Sequence, residues 1–202
     1  MSLGEFELID RYFRPLSDSG GVARAGLILG IGDDGAVLRP PPGQDLVLVL
    51  DTLVSGRHFL PDADPHSIGH RALAVNLSDL AAMGAQPAWA LLGLSLPSAD
   101  AAFLEGFAAG WRELAQAHGV ALIGGDTTSG PLCVSVQLNG LVPAGAALRR
   151  SGGSAGHALY VSGTVGDSAA GLAALQSKLE AQGDLRTTLI RRHEYPTPRV
   201  AL

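Results

Sequence analysis

The alternation of apolar and polar residues predicts a chain in which strands and helices are interleaved. Apolar residues recur at helical intervals near the N-terminus, at Phe6, Ile9, Tyr12 and Phe13, and predict a short amphipathic helix there. Longer periodic segments, two of them closed by a glycine, predict helices over residues 70–83, 99–118 and 168–182. Apolar runs predict strands over residues 27–31, 36–38, 46–50, 88–96, 120–123, 132–142 and 159–163.

This interleaving favours an α/β (α+β) fold class with a mixed sheet. The Gly- and Ser-rich run Ser151–Gly156 indicates a loop between two domains. We therefore expect an N-terminal domain over residues 1–150. Residues 151–202 are expected to be the start of a second α/β domain that is cut short, because no closing element precedes Leu202.

Composition narrows the class of protein further. Hydrophobic residues make up 47% of the 202 residues, which is enough for a packed core and argues against disorder. The formal net charge of -5, with no basic block, argues against a nucleic-acid-binding protein. The lone Cys133 excludes an intrachain disulfide and suits a reducing cytoplasm, and no secretory signal is visible at the N-terminus.

One uncharged stretch, residues 80–99, has the length of a membrane span. It contains Pro87 and Pro97, and it is flanked by Asp79 and Asp100 instead of Lys or Arg. These features are typical of a helix end, a turn at Gln86-Pro87 and a buried strand over residues 88–96, so no membrane association is expected.

Several apolar or Gly-rich runs lead into acidic residues, which is the main chemical signal in the sequence. An Asp at the end of a strand or helix is usually a cap or a turn residue when it stands alone. Several of them at one sheet edge would repel, by roughly 4 kcal/mol for a pair ~4 Å apart, unless a cation neutralises them. The acidic residues concerned are Asp33, Asp34, Asp51, Asp79 and Asp126.

Carboxylate ligands without His or Cys select Mg²⁺, Ca²⁺ or Mn²⁺. Mg²⁺ held by a few carboxylates completes its shell with water and phosphate oxygens, so a nucleotide is the expected ligand. The Gly124-Gly125 pair before Asp126 would let backbone N–H groups approach those phosphates.

Other nucleotide-site designs do not fit. Residues 30–35 match G-x-G-x-x-G, but the prolines that soon follow prevent the helix that a dinucleotide-binding turn must open. The single lysine, Lys178, does not lie in a Walker A loop, and the protein-kinase lysine and catalytic loop are missing. Metal ions and Arg must then supply the positive charge for phosphoryl transfer.

In order along nearly the whole chain, several segments resemble the thiamine-monophosphate kinase family of the aminoimidazole-ribotide-synthetase-like superfamily. The match is specific in the Asp-Thr-Leu-Val-x-Gly-x-His-Phe run and in the Asn-Leu-Ser-Asp-Leu-Ala-Ala-Met-Gly-Ala helix. The segments that carry the resemblance are residues 4–9, 30–34, 51–59, 72–85, 123–128 and 163–171.

The resemblance implies ATP-dependent phosphorylation of thiamine monophosphate to thiamine diphosphate, with several Mg²⁺ ions. It implies that Asp34, Asp51, Asp79 and Asp126 are metal ligands with Asp33 beside them. It further implies that Gly125, Asp126 and Arg150 contact ATP, that His58 contacts the substrate, and that strands of two protomers join in a dimeric barrel.

Two departures from the family pattern leave alternatives open. Val49 and Leu50 stand where relatives often carry Ser or Thr before the Asp, and the chain ends before a second Asp-rich loop. The runner-up interpretations are another ATP-using member of the superfamily, or a nucleotide-binding dimerisation module without turnover.

Overall fold

The computed structural model describes residues 4–17 and 26–202. The chain divides into two compact units: the residues up to Ala147 together with Pro198–Leu202, and Leu148–Thr197. The first unit contains a sheet with two long helices, and the second contains two shorter helices.

A four-stranded mixed sheet organises the first unit, as the strand and helix pattern predicted. Its strand order is β3-β6-β4-β5; β6 is antiparallel to both of its neighbours, and β5 is parallel to β4. A separate short pair, β1 with β2, is antiparallel. The strands are β1 (Leu27–Leu29), β2 (Val37–Leu38), β3 (Gln44–Val54), β4 (Gln86–Leu96), β5 (Ala121–Ser129) and β6 (Cys133–Pro143).

Helical structure opens the described chain and covers one face of this sheet. A first helix, α1 (Glu5–Leu8), continues as a π-helical turn over Ile9–Phe13 and a 3₁₀ turn over Arg14–Ser17. The two long helices are α2 (Pro65–Ala82) and α3 (Ala101–His118). Their side chains form the main core with the inward side chains of the strands, so the apolar periodicity of the sequence is explained by burial on this face.

Local capping sets the ends of the long helices. The Asp64 carboxylate accepts the backbone N–H of His66, and Pro65 occupies the first turn, so α2 begins five residues before the predicted start at residue 70. Asp100 caps α3 in the same way. Gly119 ends α3 with a left-handed φ of 66°, as its position in the sequence predicted.

The opposite face of the sheet is covered only in part. Trp89, Ile123 and Leu141 form a second, smaller core there, against which the side chains of Leu27 and Leu38 pack. On the edge strand β3, Leu48 and Leu50 point to the same side but remain exposed. This face therefore leaves a broad apolar surface beside the covered part.

The second unit contains α4 (Asp167–Leu175) and α5 (Gly183–Glu194), after a 3₁₀ turn at Arg150–Gly152. α4 and α5 approach closely, since a Cβ at Gly171 would lie 2.0 Å from the Leu189 carbonyl oxygen. The helix predicted over residues 168–182 is shorter than expected, because α4 ends at Leu175. Two residues later, Ser177 adopts a positive φ of 56°.

The strand predicted over residues 159–163 is not formed. Leu159 and Tyr160 are 95% and 86% exposed and belong to no sheet. A strand needs a neighbour for its backbone hydrogen bonds, and none of the described residues of this unit forms a strand that could supply them.

The uncharged run over residues 80–99 forms the predicted helix end and buried strand, but the turn predicted at Gln86-Pro87 lies earlier, and those two residues belong to the strand. It contains the last turn of α2, a turn at Gly84 with φ 69°, and the buried strand β4. Within the described ranges, 4–17 and 26–202, no helix is both long enough and apolar enough to cross a membrane.

Candidate phosphate and metal site

A cavity of about 970 Å³ lies against the incompletely covered face of the sheet. Three of the predicted acidic residues, Asp33, Asp34 and Asp126, line it together. Leu48, Leu50 and other apolar side chains of the strands form its floor. The cavity thus combines an apolar floor with carboxylates that come from two distant parts of the chain.

Strand β5 delivers Asp126 to this cavity. In the parallel pairing with β4, Asp126 lies beside Gly93 and Gly125 lies beside Leu92. The pairing register shifts between Ala90 and Leu91, at the level where the Gly-Gly pair begins. Gly125 has a φ of 154°, and a Cβ there would lie 1.9 Å from the Leu92 carbonyl oxygen, so the backbone of β5 approaches β4 too closely for any side chain at this position.

The Asp33–Asp34 loop is held by a cation that the motif analysis did not single out. Arg14 donates from Nη1 to the Ile31 carbonyl (3.1 Å) and from Nε to the Asp10 carboxylate (2.8 Å). The loop is closed by the backbone N–H of Asp34, which donates to Asp33 Oδ1 (2.9 Å). Arg14 also lines the cavity, so this guanidinium is a positive group beside the three carboxylates.

A second acidic group forms around Asp51. Burial raises the pKa of the Asp51 carboxyl, the charge of Asp79 raises it further, and His58 lowers it in part. Asp79 comes from α2 and Asp51 from β3. Because side chains alternate along a strand, Asp51 shares the helix-covered face with buried Leu53.

These two groups do not form one centre in this chain. Asp51 lies on the edge strand β3, and Asp126 lies on the other edge strand, β5, where its side chain faces the cavity on the opposite side of the sheet. In the part of the chain that the structure describes, no three His, Cys, Asp or Glu side chains are grouped so as to hold a metal ion. The expectation that the acids gather at one sheet edge is corrected here, while their assignment as metal ligands stays a prediction.

The acids do not gather at one sheet edge because the strands do not end where the sequence predicted. The sequence was expected to end strands at Asp51 and at Asp126, but β3 continues to Val54 and β5 to Ser129. Thr52 and Val54 after Asp51, and Thr127 and Thr128 after Asp126, favour extended backbone. In addition, β6 pairs with β3 over its whole length. Inside a strand, alternation decides which face a carboxylate takes, so neighbouring strands need not bring their acids together.

The chemistry of both groups nevertheless fits a divalent cation. All five acidic side chains offer hard oxygen ligands, which Mg²⁺ prefers. Burial, and after it the charge of Asp79, raises the pKa of Asp51, and a bound cation would relieve the repulsion between the two carboxylates. Asp51 and Asp79 by themselves do not fill the coordination shell of a divalent cation, so water or phosphate oxygens would complete the shell of an ion bound there.

The predicted substrate contact, His58, does not line the cavity, and the predicted ATP contact Arg150 belongs to the second unit. His58 belongs to the loop that follows β3 and is exposed. Arg150 lies in the 3₁₀ turn of the second unit, so its predicted contact with ATP stays a prediction.

Residues 32–142, more than half of the chain, match the family model "AIR synthase related protein, N-terminal domain". The chain belongs to the AIR synthase related protein family. The matched residues contain both long helices and nearly all of the four-stranded sheet.

This AIR synthase related protein is similar to one protein of known sequence and to two solved structures described below. The thiamine-monophosphate kinase of Escherichia coli K12 is 52% identical over 201 residues, which are 99% of this chain and 61% of that protein. The crystal structure of thiamine-monophosphate kinase from Stenotrophomonas maltophilia K279a is 48% identical with a TM-score of 0.85, covering 100% of this chain and 64% of that one. A structure named "AaThiL complexed with AMPPCP and TMP" is 34% identical with a TM-score of 0.74, covering 100% of this chain and 62% of that one.

The resemblance expected from the sequence motifs is confirmed by these relatives. This AIR synthase related protein spans about three fifths of the length of each of them.

Sequence reasoning missed two arginines of this AIR synthase related protein. Arg14 follows Asp10 by four residues, the spacing of a helical ion pair, so that contact was visible in the sequence. Arg71 lies on α2, and its Nη1 donates to the His58 carbonyl (2.8 Å). Nothing in the sequence spacing indicates this contact, because it depends on how the loop after β3 packs against the helix.

Proposed function

We propose that this protein is an ATP-dependent kinase that phosphorylates thiamine monophosphate to thiamine diphosphate. The observation that carries the proposal is the cavity lined by Asp33, Asp34 and Asp126 together with the Gly124-Gly125 pair of β5. Carboxylates next to closely approaching backbone are suited to a metal-bound polyphosphate. The 52% identity to a thiamine-monophosphate kinase supports this particular acceptor.

In the proposed reaction, a phosphate oxygen of thiamine monophosphate attacks the γ-phosphorus of ATP, and ADP leaves with the electron pair of the broken P–O bond. Such transfers depend mainly on positioning and on electrostatic stabilisation. Bound Mg²⁺ would supply the positive charge that the phosphate oxygens need. No side chain is assigned as a general acid or base, because a phosphate acceptor is already an anion.

Each predicted site residue has a part in this proposal. Asp33, Asp34 and Asp126 would hold Mg²⁺ on the cavity side, and Asp51 with Asp79 would do so on the helix side. The two ATP contacts besides Asp126 are Gly125 and Arg150, and His58 contacts thiamine monophosphate.

We also propose that the protein is a homodimer whose strands join in a barrel. The support is the incompletely covered sheet face, on which Leu48 and Leu50 are 57% and 65% exposed along an edge strand. Exposed apolar edges of this kind normally pair or are covered. Replacing both leucines with Glu should convert a dimer to a monomer in sedimentation, while Leu185→Glu, at a similarly exposed leucine (60%) of α5, should not.

A cytoplasmic location completes the proposal. Its support is the single cysteine, Cys133, which is free and half-buried and has no second cysteine with which to pair.

Turnover tests the proposed function directly. The protein is incubated with ATP, Mg²⁺ and thiamine monophosphate, and thiamine diphosphate is measured chromatographically. Asp126→Asn and Asp79→Asn should each lower the rate by roughly a hundredfold, as expected when one electrostatic element is removed. Asp62→Asn, at an exposed turn, is the matched control and should keep the wild-type rate.

Calorimetric titration of the 202-residue chain with AMPPCP and Mg²⁺ separates the alternatives. Binding without turnover would favour the nucleotide-binding module. Turnover of ATP with another acceptor would favour a different member of the superfamily. No Mg²⁺-dependent binding would refute the proposal and both alternatives.

A further inference from the structure

Arg14 is anchored through both its backbone and its side chain. It directly follows the π-helical turn, and its backbone N–H donates to the Ile9 carbonyl. The side chains of Phe13 and Leu16 on either side of it are buried, so this part of the chain is held against the core. Nε of Arg14 donates to the Asp10 carboxylate (2.8 Å), although both side chains are exposed. The guanidinium is therefore held by its own turn before it contacts any other part of the chain.

The same guanidinium reaches the loop that carries Asp33 and Asp34. Its Nη1 donates to the Ile31 carbonyl (3.1 Å). A Cβ at Gly32 would lie 3.6 Å from Nη1 and 3.7 Å from Nη2, so the guanidinium packs against this glycine. Ile31 and Asp33 pair in an isolated β-bridge around Gly32, whose φ is 130°. The contacts of Arg14 thus fall on the two residues that lead directly into the acidic pair.

The charge of Arg14 does not by itself explain its position. Among the residues that the structure describes, Arg14 is the one cationic side chain that lines the cavity with the three carboxylates. A positive charge beside these carboxylates opposes the binding of a metal cation to them. If the carboxylates hold Mg²⁺, the hydrogen bonds of Arg14 must contribute something that outweighs this repulsion.

We propose that Arg14 is a positioning residue that orders the Asp33–Asp34 loop and thereby raises the affinity of the cavity for a divalent cation. The proposal rests on the proposed function, because it takes Asp33 and Asp34 as metal ligands. Groups that orient metal ligands without touching the metal change metal affinity by roughly 10–100-fold. Arg14 acts in this way through the backbone of the loop, by its hydrogen bond to the Ile31 carbonyl.

Nitrogen-15 relaxation tests the ordering of the loop without any metal. In the wild-type chain, the amides of Gly32 and Asp34 should have order parameters of about 0.85, the value of rigid backbone. In Arg14→Gln these order parameters should fall toward about 0.6. Arg11→Gln is the matched control and should leave them unchanged. Arg11 is as exposed as Arg14 (54% against 52%), and its ion pair is with Glu105, which does not line the cavity.

Titration with Mg²⁺ alone, followed by the amide shifts of Asp126, tests the affinity of the cavity. Asp126 lies on β5 and not in the loop, so its amide reports binding at the shared cavity. Arg14→Gln should weaken binding about tenfold. Electrostatics alone predicts the opposite sign, because the variant removes a positive charge. The amide of Asp51, in the helix-side group, is an internal control that should titrate identically in both proteins.

Arg14→Lys separates charge from geometry. Lysine keeps the positive charge but lacks the planar fork that bonds Asp10 and the Ile31 carbonyl together. The lysine variant should therefore also bind Mg²⁺ more weakly than wild type, whereas charge alone predicts equal affinity. If Arg14→Gln does not fold, the lysine variant decides the matter.

Equal or tighter Mg²⁺ binding in Arg14→Gln would overturn the proposal, as would wild-type affinity in Arg14→Lys. An equal loss of affinity in Arg11→Gln would also overturn it, since that variant removes the same charge without a contact to the loop. A lower melting temperature with unchanged Mg²⁺ affinity would show that Arg14 only stabilises the fold.

Failure of the proposed function gives a different result. A wild-type chain in which the Asp126 amide does not respond to Mg²⁺, with or without AMPPCP, would refute the proposed metal site and this proposal with it. A wild-type chain that binds Mg²⁺ while Arg14→Gln binds it equally well would refute only the role of Arg14. The two failures are therefore distinguishable.

Discussion

The adjacent glycines of β5 should respond in opposite ways to the same substitution. A Cβ at Gly124 would lie 3.1 Å from Leu91 Cδ2, the end of a flexible side chain that can move aside. A Cβ at Gly125 would lie 1.9 Å from the carbonyl oxygen and 2.9 Å from the nitrogen of Leu92, which are backbone atoms of the central strand β4. We therefore expect Gly124→Ala to be tolerated and Gly125→Ala to be severe.

The magnitude follows from two contributions at Gly125. A non-glycine residue in its positive-φ conformation costs about 1–3 kcal/mol. Forcing a methyl group against the neighbouring backbone adds about 1–3 kcal/mol. The sum, roughly 2–6 kcal/mol, is a large part of the typical 5–15 kcal/mol stability of a domain and corresponds to a Tm lower by about 10 °C. Gly124→Ala should change the free energy of unfolding by no more than about 1 kcal/mol.

Thermal and urea unfolding of the two variants, followed by circular dichroism, measures this difference. A Gly125→Ala protein that melts at the same temperature as Gly124→Ala would refute the packing argument. Titration with AMPPCP and Mg²⁺ then separates two reasons for the glycine. Unchanged stability with lost nucleotide affinity would make the phosphate, not Leu92, the group that requires Gly125.

Three further predictions concern charge and helix packing. The raised pKa of Asp51 means that the folded state binds the proton of this carboxyl more tightly than the unfolded state does. Without Mg²⁺, the unfolding free energy of the wild-type protein should therefore fall as pH rises above 3.8. In urea titrations at neutral pH, Asp51→Asn should be more stable than wild type. Burial lowers the pKa of His118, so stability should be lost as pH falls below 6.5, and His118→Gln should flatten that dependence in the same assay. A Cβ at Gly110 would lie 1.9 Å from a backbone carbonyl oxygen of α2, so Gly110→Ala should destabilise by about 2 kcal/mol or more in thermal unfolding. Gly106→Ala on the same helix, whose nearest atom is a proline Cβ at 3.1 Å, should be nearly neutral because the helix propensity of Ala offsets the contact by about 1 kcal/mol.

Each of these predictions has an outcome that would contradict it. A less stable Asp51→Asn at neutral pH would mean that the carboxylate is favourably bonded and not repelled. An unchanged slope in His118→Gln would assign the acid sensitivity to another group. A Gly110→Ala protein that is as stable as wild type would show that the two long helices can separate without loss.

The elements that the sequence predicted best are those whose burial repeats with a simple period. The long helix α3 was predicted to within two residues, because its apolar face, its Asp100 cap and Gly119 are all local signals. The start of α2 was missed, although Asp64 and Pro65 form a recognisable cap, and the strand predicted at residues 159–163 did not form. A strand exists only with a partner, and no local pattern reports whether the partner is there.

The candidate site shows the same division. The sequence pointed to the acidic residues and to the Gly124-Gly125 pair, since carboxylates and glycines next to apolar runs can be recognised from the sequence alone. It did not show that Asp126 faces the cavity while Asp51 faces α2, because the two strands continue past their acids and alternation then selects the face.

The sequence by itself determined the fold class, the main helices and strands, and the chemical character of the site, because these depend on residue type and on spacing within a segment. Only the tertiary structure decided which acids meet, that Arg14 holds the Asp33–Asp34 loop, and that Arg71 holds His58. Those contacts join residues 17 and 13 positions apart, and strand register and the packing of loops against helices set them. No short-range sequence pattern encodes contacts between residues this far apart along the chain. The residue types of the site could therefore be predicted from the sequence, whereas their arrangement could be seen only in the folded structure.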